Sequence, residues 1–356
     1  MQQGRRNVRH AAVLALGAAF ALAIPASSSF AQAVDGPTVE WRHSNWGKRR
    51  ANTEGIEKIA AILKERTGGK FTIKIGYGEM FSKDKENLDS IKLGAIEMAD
   101  MCNFYHPGKN PAWMVFSLPF LPFGSLEQHA EAANNMMKHP ALMADMAQWD
   151  AVPYFFVVLP PYEFMGKGRA PEKLEDWKGL RVRAPGAVGE AFAKLGASLS
   201  TVPAVELYTA LERGTVDAAS FPFTYAHAAY QLHTISSWYT SNLAPGNAGC
   251  AAVMSKTAYA KLPPQYQKLL MEAQPEANKA MIAAYREADK VNLPMFKQKL
   301  KEIRYSEADL KRFEELGGKP VWEKWVADNQ SKFDAQGVLN AMLQEIAKAK
   351  AKIAQK

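Results

Sequence analysis

Cysteine is almost missing from this sequence. Only Cys102 and Cys250 occur in 356 residues, too few for a disulfide scaffold in a chain of this size. The two can pair in an oxidising compartment or stay as buried thiols. Histidine is sparse as well, with 7 residues, and none falls in a His-Glu-x-x-His pattern or beside a Cys pair at zinc spacing. The spacing of His227 and His233 does not put them on one helical face. A Gly-x-Ser-x-Gly elbow, a phosphate loop and a dinucleotide fingerprint are lacking too. Glu206, Glu212 and Asp217 suit capping and packing better than acid-base work. With no metal ligands and no cofactor motif, an enzyme is not the expectation.

Long apolar runs are also absent, since the largest, Ala11 to Ile24, has about 14 residues and a membrane span needs about 20. There is no charge block either. The 44 basic and 36 acidic residues, formal charge +8, are spread and intermixed, which is no nucleic-acid signature but suits a small anionic ligand. No internal repeat and no disordered linker follow the first apolar run.

What is present begins with an export signal. Arg5, Arg6 and Arg9 precede the apolar run, and Ala31-Gln32-Ala33 ends it with a small-x-small cleavage site, so residues 1–33 read as a signal peptide and the mature chain begins at Val34. Arg5-Arg6 lacks the hydrophobic continuation of a twin-arginine signal, which favours general secretion. The expected location is the periplasm, without stable membrane insertion once the signal is removed. Loss of three arginines lowers the charge but leaves it positive.

The mature chain reads as α/β. Val39 to Arg42 is a first strand, followed by a helix with Ile56, Ile59, Ala60 and Leu63 on one face. Phe71, Ile73 and Ile75 alternate along a second strand, Ser82 to Leu93 reads as a helix, and Ile96 to Met101 as a third strand. This βαβαβ order argues for a parallel sheet covered by helices. Ser125 and Gln128 are spaced as a capping box before the next helix. Val152 to Leu159 is an apolar strand leading to Pro160-Pro161, where the chain is expected to pass into a second domain. Ala248 to Met254 reads as a strand returning to the first. Gln265 to Leu300 has a long helical pattern broken by Pro275 and Pro294, and further helices reach Ala354.

One stretch organises the second half. In Lys178-Gly-Leu-Arg-Val-Arg-Ala-Pro-Gly186, Leu180 and Val182 alternate with Arg181 and Arg183, so a strand presents two guanidinium groups on one face. Pro185 and Gly186 stop it and a helix follows, which places Arg183 at a strand's carboxyl end beside a helix amino terminus, a position suited to an anion.

This stretch and the segment after it resemble the solute-binding proteins of tripartite ATP-independent periplasmic (TRAP) transporters, the DctP family. The matching residues are Gly179, Arg183, Pro185, Pro203, Glu206, Tyr208, Ala210, Leu211, Gly214, Val216 and Asp217. Leu118-Pro-Phe-Leu-Pro-Phe123 and Leu88-Asp-Ser-Ile-Lys-Leu-Gly-Ala-Ile-Glu-Met98 extend the likeness. It implies a two-domain periplasmic binding protein of type II-like fold. Domain I is expected over 34–160 plus about 245–265, domain II over 161–244 plus the C-terminal helices, and one long helix over about 265–300 crosses both. It further implies a small organic acid ligand and TRAP membrane permease subunits as partners.

The family arginine that grips a ligand carboxylate falls on Arg183. Strand ends from both halves add Asn45, Trp46, Cys102, Asn103, Tyr105, Tyr162, Phe221, Phe223 and Asn247 as ligand-binding candidates. Two departures bear on the ligand: the further upstream Arg of acidic-sugar and dicarboxylate binders is missing from Pro161-Tyr-Glu-Phe-Met165, and Phe221 stands where the family often has Asn. Both favour a monocarboxylate with a hydrophobic or aromatic body. The alternatives are a C4-dicarboxylate or hydroxy acid, a protein that feeds a sensor, and, remotely, a periplasmic enzyme.

Overall fold

The computed structural model describes residues 33–354. The signal peptide expected over 1–33 lies outside the described residues, except for Ala33. Eleven strands form in chain order: β1 (Val39–Ser44), β2 (Phe71–Gly76), β3 (Met98–Cys102), β4 (Ala151–Phe156), β5 (Tyr162–Gly166), β6 (Arg181–Arg183), β7 (Ser198–Ser200), β8 (Ala218–Pro222), β9 (Trp238–Thr240), β10 (Cys250–Ser255) and β11 (Lys301–Ile303). They assemble into two sheets, ordered β2-β1-β3-β10-β4 and β11-β9-β5-β8-β6-β7.

In the first sheet β1 runs parallel to β2 and β3, while β10 runs antiparallel to β3 and β4. The helix Glu54–Arg66 makes the β1–β2 crossover and buries Ile56, Ile59 and Leu63, one face at helical spacing. In the second sheet β6 runs parallel to β7 and β8, and β5 runs antiparallel to β8 and β9. Here the helix Gly186–Lys194 lies between β6 and β7 and buries Val188, Ala191 and Phe192. Cys102 and Cys250 are directly opposed on β3 and β10 and form a disulfide.

Two extended segments, residues 157–161 and 241–249, join the lobes. They are tied to each other where Tyr162 N donates to Gly246 O at 3.0 Å. Glu163, only 3% exposed, fixes the second segment to β5 and β9 by accepting from Ala244 N at 2.9 Å and from the Thr240 hydroxyl at 2.5 Å. Burial pushes this carboxyl up to about 7, against the pull of those donors.

A third connection is the helix Pro264–Lys299, 36 residues long and so about 54 Å at 1.5 Å per residue. It packs on Glu54–Arg66 of the first lobe and on Tyr225–Ala229 of the second, and its end leads into β11 of the second sheet. The Tyr285 hydroxyl donates to Val158 O at 2.7 Å, and the Thr224 hydroxyl donates to Asp289 Oδ1 at 2.7 Å. Pro275 and Pro294 lie inside it without ending it.

Some local expectations shift. Helix forms over Asn87–Lys92 instead of the whole of Ser82–Leu93, and the Ser82 carbonyl is taken by the Ser44 hydroxyl at 3.1 Å. The C-terminal helices do not all join the second lobe. Glu307–Gly317 packs on Gly186–Lys194 of the second lobe, but Ala335–Ala354 packs on Leu126–Met136 of the first. The reason is its apolar face: Val338, Leu339, Met342 and Ile346 are buried there, and Lys352 pairs with Glu131 at 2.6 Å. Leu126–Met136 itself starts with the Ser125–Gln128 capping box.

Candidate functional site

Arg181 and Arg183 leave the same face of β6 and meet opposite fates. Arg181 is exposed and gripped by Asp217, which accepts from its Nε at 3.0 Å and its Nη2 at 2.5 Å. Arg183 is 2% exposed and turns inward between the lobes. Its Nε donates to Val202 O at 3.1 Å and its Nη1 to Ser220 O at 3.0 Å. These bonds fix the plane of the guanidinium, and Nη2 has no partner among the described residues. The Phe221 and Phe104 ring centroids lie 5.3 and 5.7 Å from the guanidinium carbon, one ring from each lobe.

A cavity of about 40 Å³ lies against this group. Of the residues expected to bind ligand, it brings together Trp46, Cys102, Tyr105, Tyr162, Arg183 and Phe221. Trp46 meets Tyr105 edge to face with centroids 5.6 Å apart, and Ala204 N of the second lobe donates to the Tyr105 hydroxyl at 3.1 Å. The Cys102–Cys250 disulfide forms part of the wall.

The other four candidates do not line the cavity. Asn45 is buried behind it, donating to Asp100 Oδ2 and accepting from Arg50 Nη1 at 3.2 Å. Asn103 donates to Trp113 O at 2.9 Å and accepts from Gly249 N at 3.3 Å, joining its own loop to the second interlobe segment. Phe223 packs on Tyr239 and Phe296, with centroids 5.9 and 6.1 Å away. Asn247, with its amide turned to satisfy both ends, donates to Pro160 O at 2.9 Å and links the two interlobe segments. In these four the polar or aromatic group is used by the scaffold.

The lining also contains Arg50, Phe104, Tyr225 and Tyr230. Phe104 and Tyr225 belong to stretches whose strand-end position already pointed to the cleft. Arg50 had no such signal. It is the last of Lys48-Arg49-Arg50, and its neighbour Arg49 is an ordinary surface cation paired with Glu54 at 2.8 Å. The cleft therefore holds a second cation besides Arg183, and it comes from the loop after β1.

Burial pushes the phenols of Tyr105, Tyr162 and Tyr225 up, despite Arg183 near the first two and Arg50 near the third. All three are neutral hydrogen-bonding groups at physiological pH, so the charge around the cavity is that of two guanidinium groups. Such a site can hold an anion by charge-assisted hydrogen bonds and pack an apolar body against aromatic faces. Two wider chambers adjoin it. One of about 410 Å³ lies beyond Arg50 and Tyr230, and one of about 270 Å³ lies beyond Arg183, Phe104 and Tyr105, where Lys85, Thr201 and Gly186 at the helix start face it. A separate hollow of about 540 Å³ is lined by Trp41, Ile96, Asp150 and Lys261 on the first lobe and shares no residue with this cleft. Among the described residues, no three His, Cys, Asp or Glu side chains gather as a metal site, and no helix is long and apolar enough to cross a membrane.

Comparison with known proteins gives consistent results. The profile of bacterial extracellular solute-binding protein family 7 (DctP) matches residues 43–329. A monocarboxylate 2-oxoacid-binding periplasmic protein of Nostoc sp. is 26% identical over 307 residues, covering 79% of this chain and 78% of its own. A TRAP periplasmic solute-binding protein from Desulfovibrio salexigens with bound orotic acid superposes with a TM-score of 0.78 at 21% identity, over 87% of this chain and 99% of that one. A TRAP solute-binding protein from Rhodoferax ferrireducens with copurified benzoate gives 0.77 at 21% identity, over 89% and 100%. The two structures share the two-domain α/β fold with this chain.

Proposed function

Because the chain belongs to bacterial extracellular solute-binding protein family 7, we propose that its two lobes close on an organic carboxylate with a hydrophobic or aromatic body and deliver it, in the periplasm, to the membrane subunits of a TRAP transporter. The observation that carries this reading is the Arg183 guanidinium: buried, held by two carbonyls, with Nη2 left over at an aromatic-walled cavity. Arg183 takes the carboxylate and fixes its orientation. Trp46, Tyr105, Tyr162 and Phe221 enclose the body, and closure expels water from both.

The apolar character given to the ligand's body rests on the aromatic walls and not on a count of cations, since Arg50 is a second one. Relatives described as binding a monocarboxylate 2-oxoacid, orotic acid and benzoate support the acid class. The test is calorimetry on the mature chain after a thermal-shift screen of carboxylates. Aromatic and branched-chain acids are expected to bind and raise the unfolding temperature. Tight binding of succinate or malate, with no response to aromatic acids, would refute the ligand class.

A further inference from the structure

Arg50 lines the cavity from the first lobe. Its Nη1 is fully committed, donating to Asn45 Oδ1, Trp46 O and Lys48 O at 3.2, 3.1 and 2.7 Å. Among the described residues Nε and Nη2 have no partner, and no carboxylate lies within ion-pair distance of Arg50. Asp100, the acid behind this loop, is turned to Asn45 and to His43 Nε2 at 3.2 Å. In front of Arg50 stands Tyr230 of the second lobe, its ring centroid 5.8 Å from the guanidinium carbon. The Tyr230 hydroxyl is buried and also unpartnered. Two unused donor groups, one from each lobe, thus stand at one end of the cavity. Between this end and Arg183 runs a stack of rings: Arg183 to Phe221 is 5.3 Å, Phe221 to Tyr230 is 4.8 Å, and Tyr230 to Arg50 is 5.8 Å.

We infer that Arg50 and Tyr230 form a second polar pole of the binding site, and that the solute carries a hydrogen-bond acceptor (a carbonyl, a hydroxyl or a second carboxylate) on the side of its apolar body away from the carboxylate. This rests on the reading that Arg183 holds a carboxylate. An acid with only one polar end would leave the buried Tyr230 hydroxyl without a partner and the free side of the Arg50 fork unused, and a site built to bond a group discriminates against the analogue that lacks it. The pole is therefore a specificity device, set by a loop whose own hydrogen bonds hold Nη1 and leave the rest of the fork free.

The experiment is calorimetry with benzoate, 3- and 4-hydroxybenzoate, isophthalate and terephthalate on wild type, Arg50→Met, Arg50→Lys and Tyr230→Phe. In wild type at least one acceptor-bearing acid is expected to bind about tenfold or more tightly than benzoate, the worth of a charge-assisted bond. Arg50→Met should abolish that ratio and Arg50→Lys recover part of it, while Tyr230→Phe, which keeps the ring stack, should reduce it. A purely structural role for Arg50 would weaken all the acids alike and leave the ratio intact, which overturns the inference. So does equal affinity of wild type for all five acids. If no carboxylate binds, or if Arg183→Gln binds as wild type does, the reading beneath the inference falls instead.

Discussion

Arg183 of the second lobe lies over the ring of Phe104 of the first, its guanidinium carbon 5.7 Å from the ring centroid. The cation is thus completed by the opposite half of the molecule, with Phe221 of its own lobe 5.3 Å away as the second ring. Replacing Arg183 by Ala is expected to cost about 2–5 kcal/mol of ligand binding, because the bound anion would be desolvated without its partner. Arg183→Lys should weaken binding as well, since a point charge cannot reproduce the fork. Titration calorimetry against the tightest acid of the screen measures both, and unchanged affinity in Arg183→Ala would remove this residue from the site.

Glu163 gives the fold a pH dependence of definite sign. Burial raises its folded value from the ordinary 4.5 to about 7. Below pH 4.5 folded and unfolded chains both hold the proton. Between there and about 7 the unfolded chain releases it while the folded one retains it, so stability falls as pH rises through this window and then levels off. Glu163→Gln is expected to remove this contribution. Denaturant midpoints at pH 4.5, 6 and 7.5 for both proteins check it, and parallel curves would contradict the assignment.

The disulfide joins residues 148 positions apart. Cross-linking so distant a pair restricts the unfolded chain strongly, so a Cys102→Ser, Cys250→Ser double variant should lose about 2–5 kcal/mol of stability. Wild type in reductant should approach the same value. The comparison is between unfolding midpoints with and without dithiothreitol.

Gly47 adopts φ of +74°, and a Cβ there would lie 2.5 Å from the Tyr230 hydroxyl across the cleft. Gly47→Ala therefore adds left-handed backbone strain of roughly 1–2 kcal/mol and obstructs closure. A lower affinity and a larger radius of gyration in the presence of ligand are expected. Adding Tyr230→Phe, which deletes the atom in the way, should bring the radius back toward that of wild type.

The local elements were legible because they follow from local patterns. Ile56, Ile59 and Leu63 mark a helix face, Phe71 and Ile73 a strand, and Ser125 with Gln128 a helix start, and each acts within a few residues. Arg183 was legible because a strand end, a proline and a helix start fix where its side chain points. Long-range partners were not. Nothing near Asn45, Asn103 or Asn247 says that Asp100, Trp113 or Pro160 will use their amides. Nothing in Lys48-Arg49-Arg50 distinguishes the one cation that turns inward. The terminal helix shows its apolar face in the sequence but not the surface that it covers.

The helix from Pro264 to Lys299 is shared by both lobes, so neither half can swing away without loading it. Its two interior prolines, Pro275 and Pro294, each remove a backbone donor, which makes them its compliant points. Opening then resembles the drawing of a spring more than the turning of a loose joint, and how readily the cargo is let go depends on the stiffness of that one rod as well as on the contacts in the cleft.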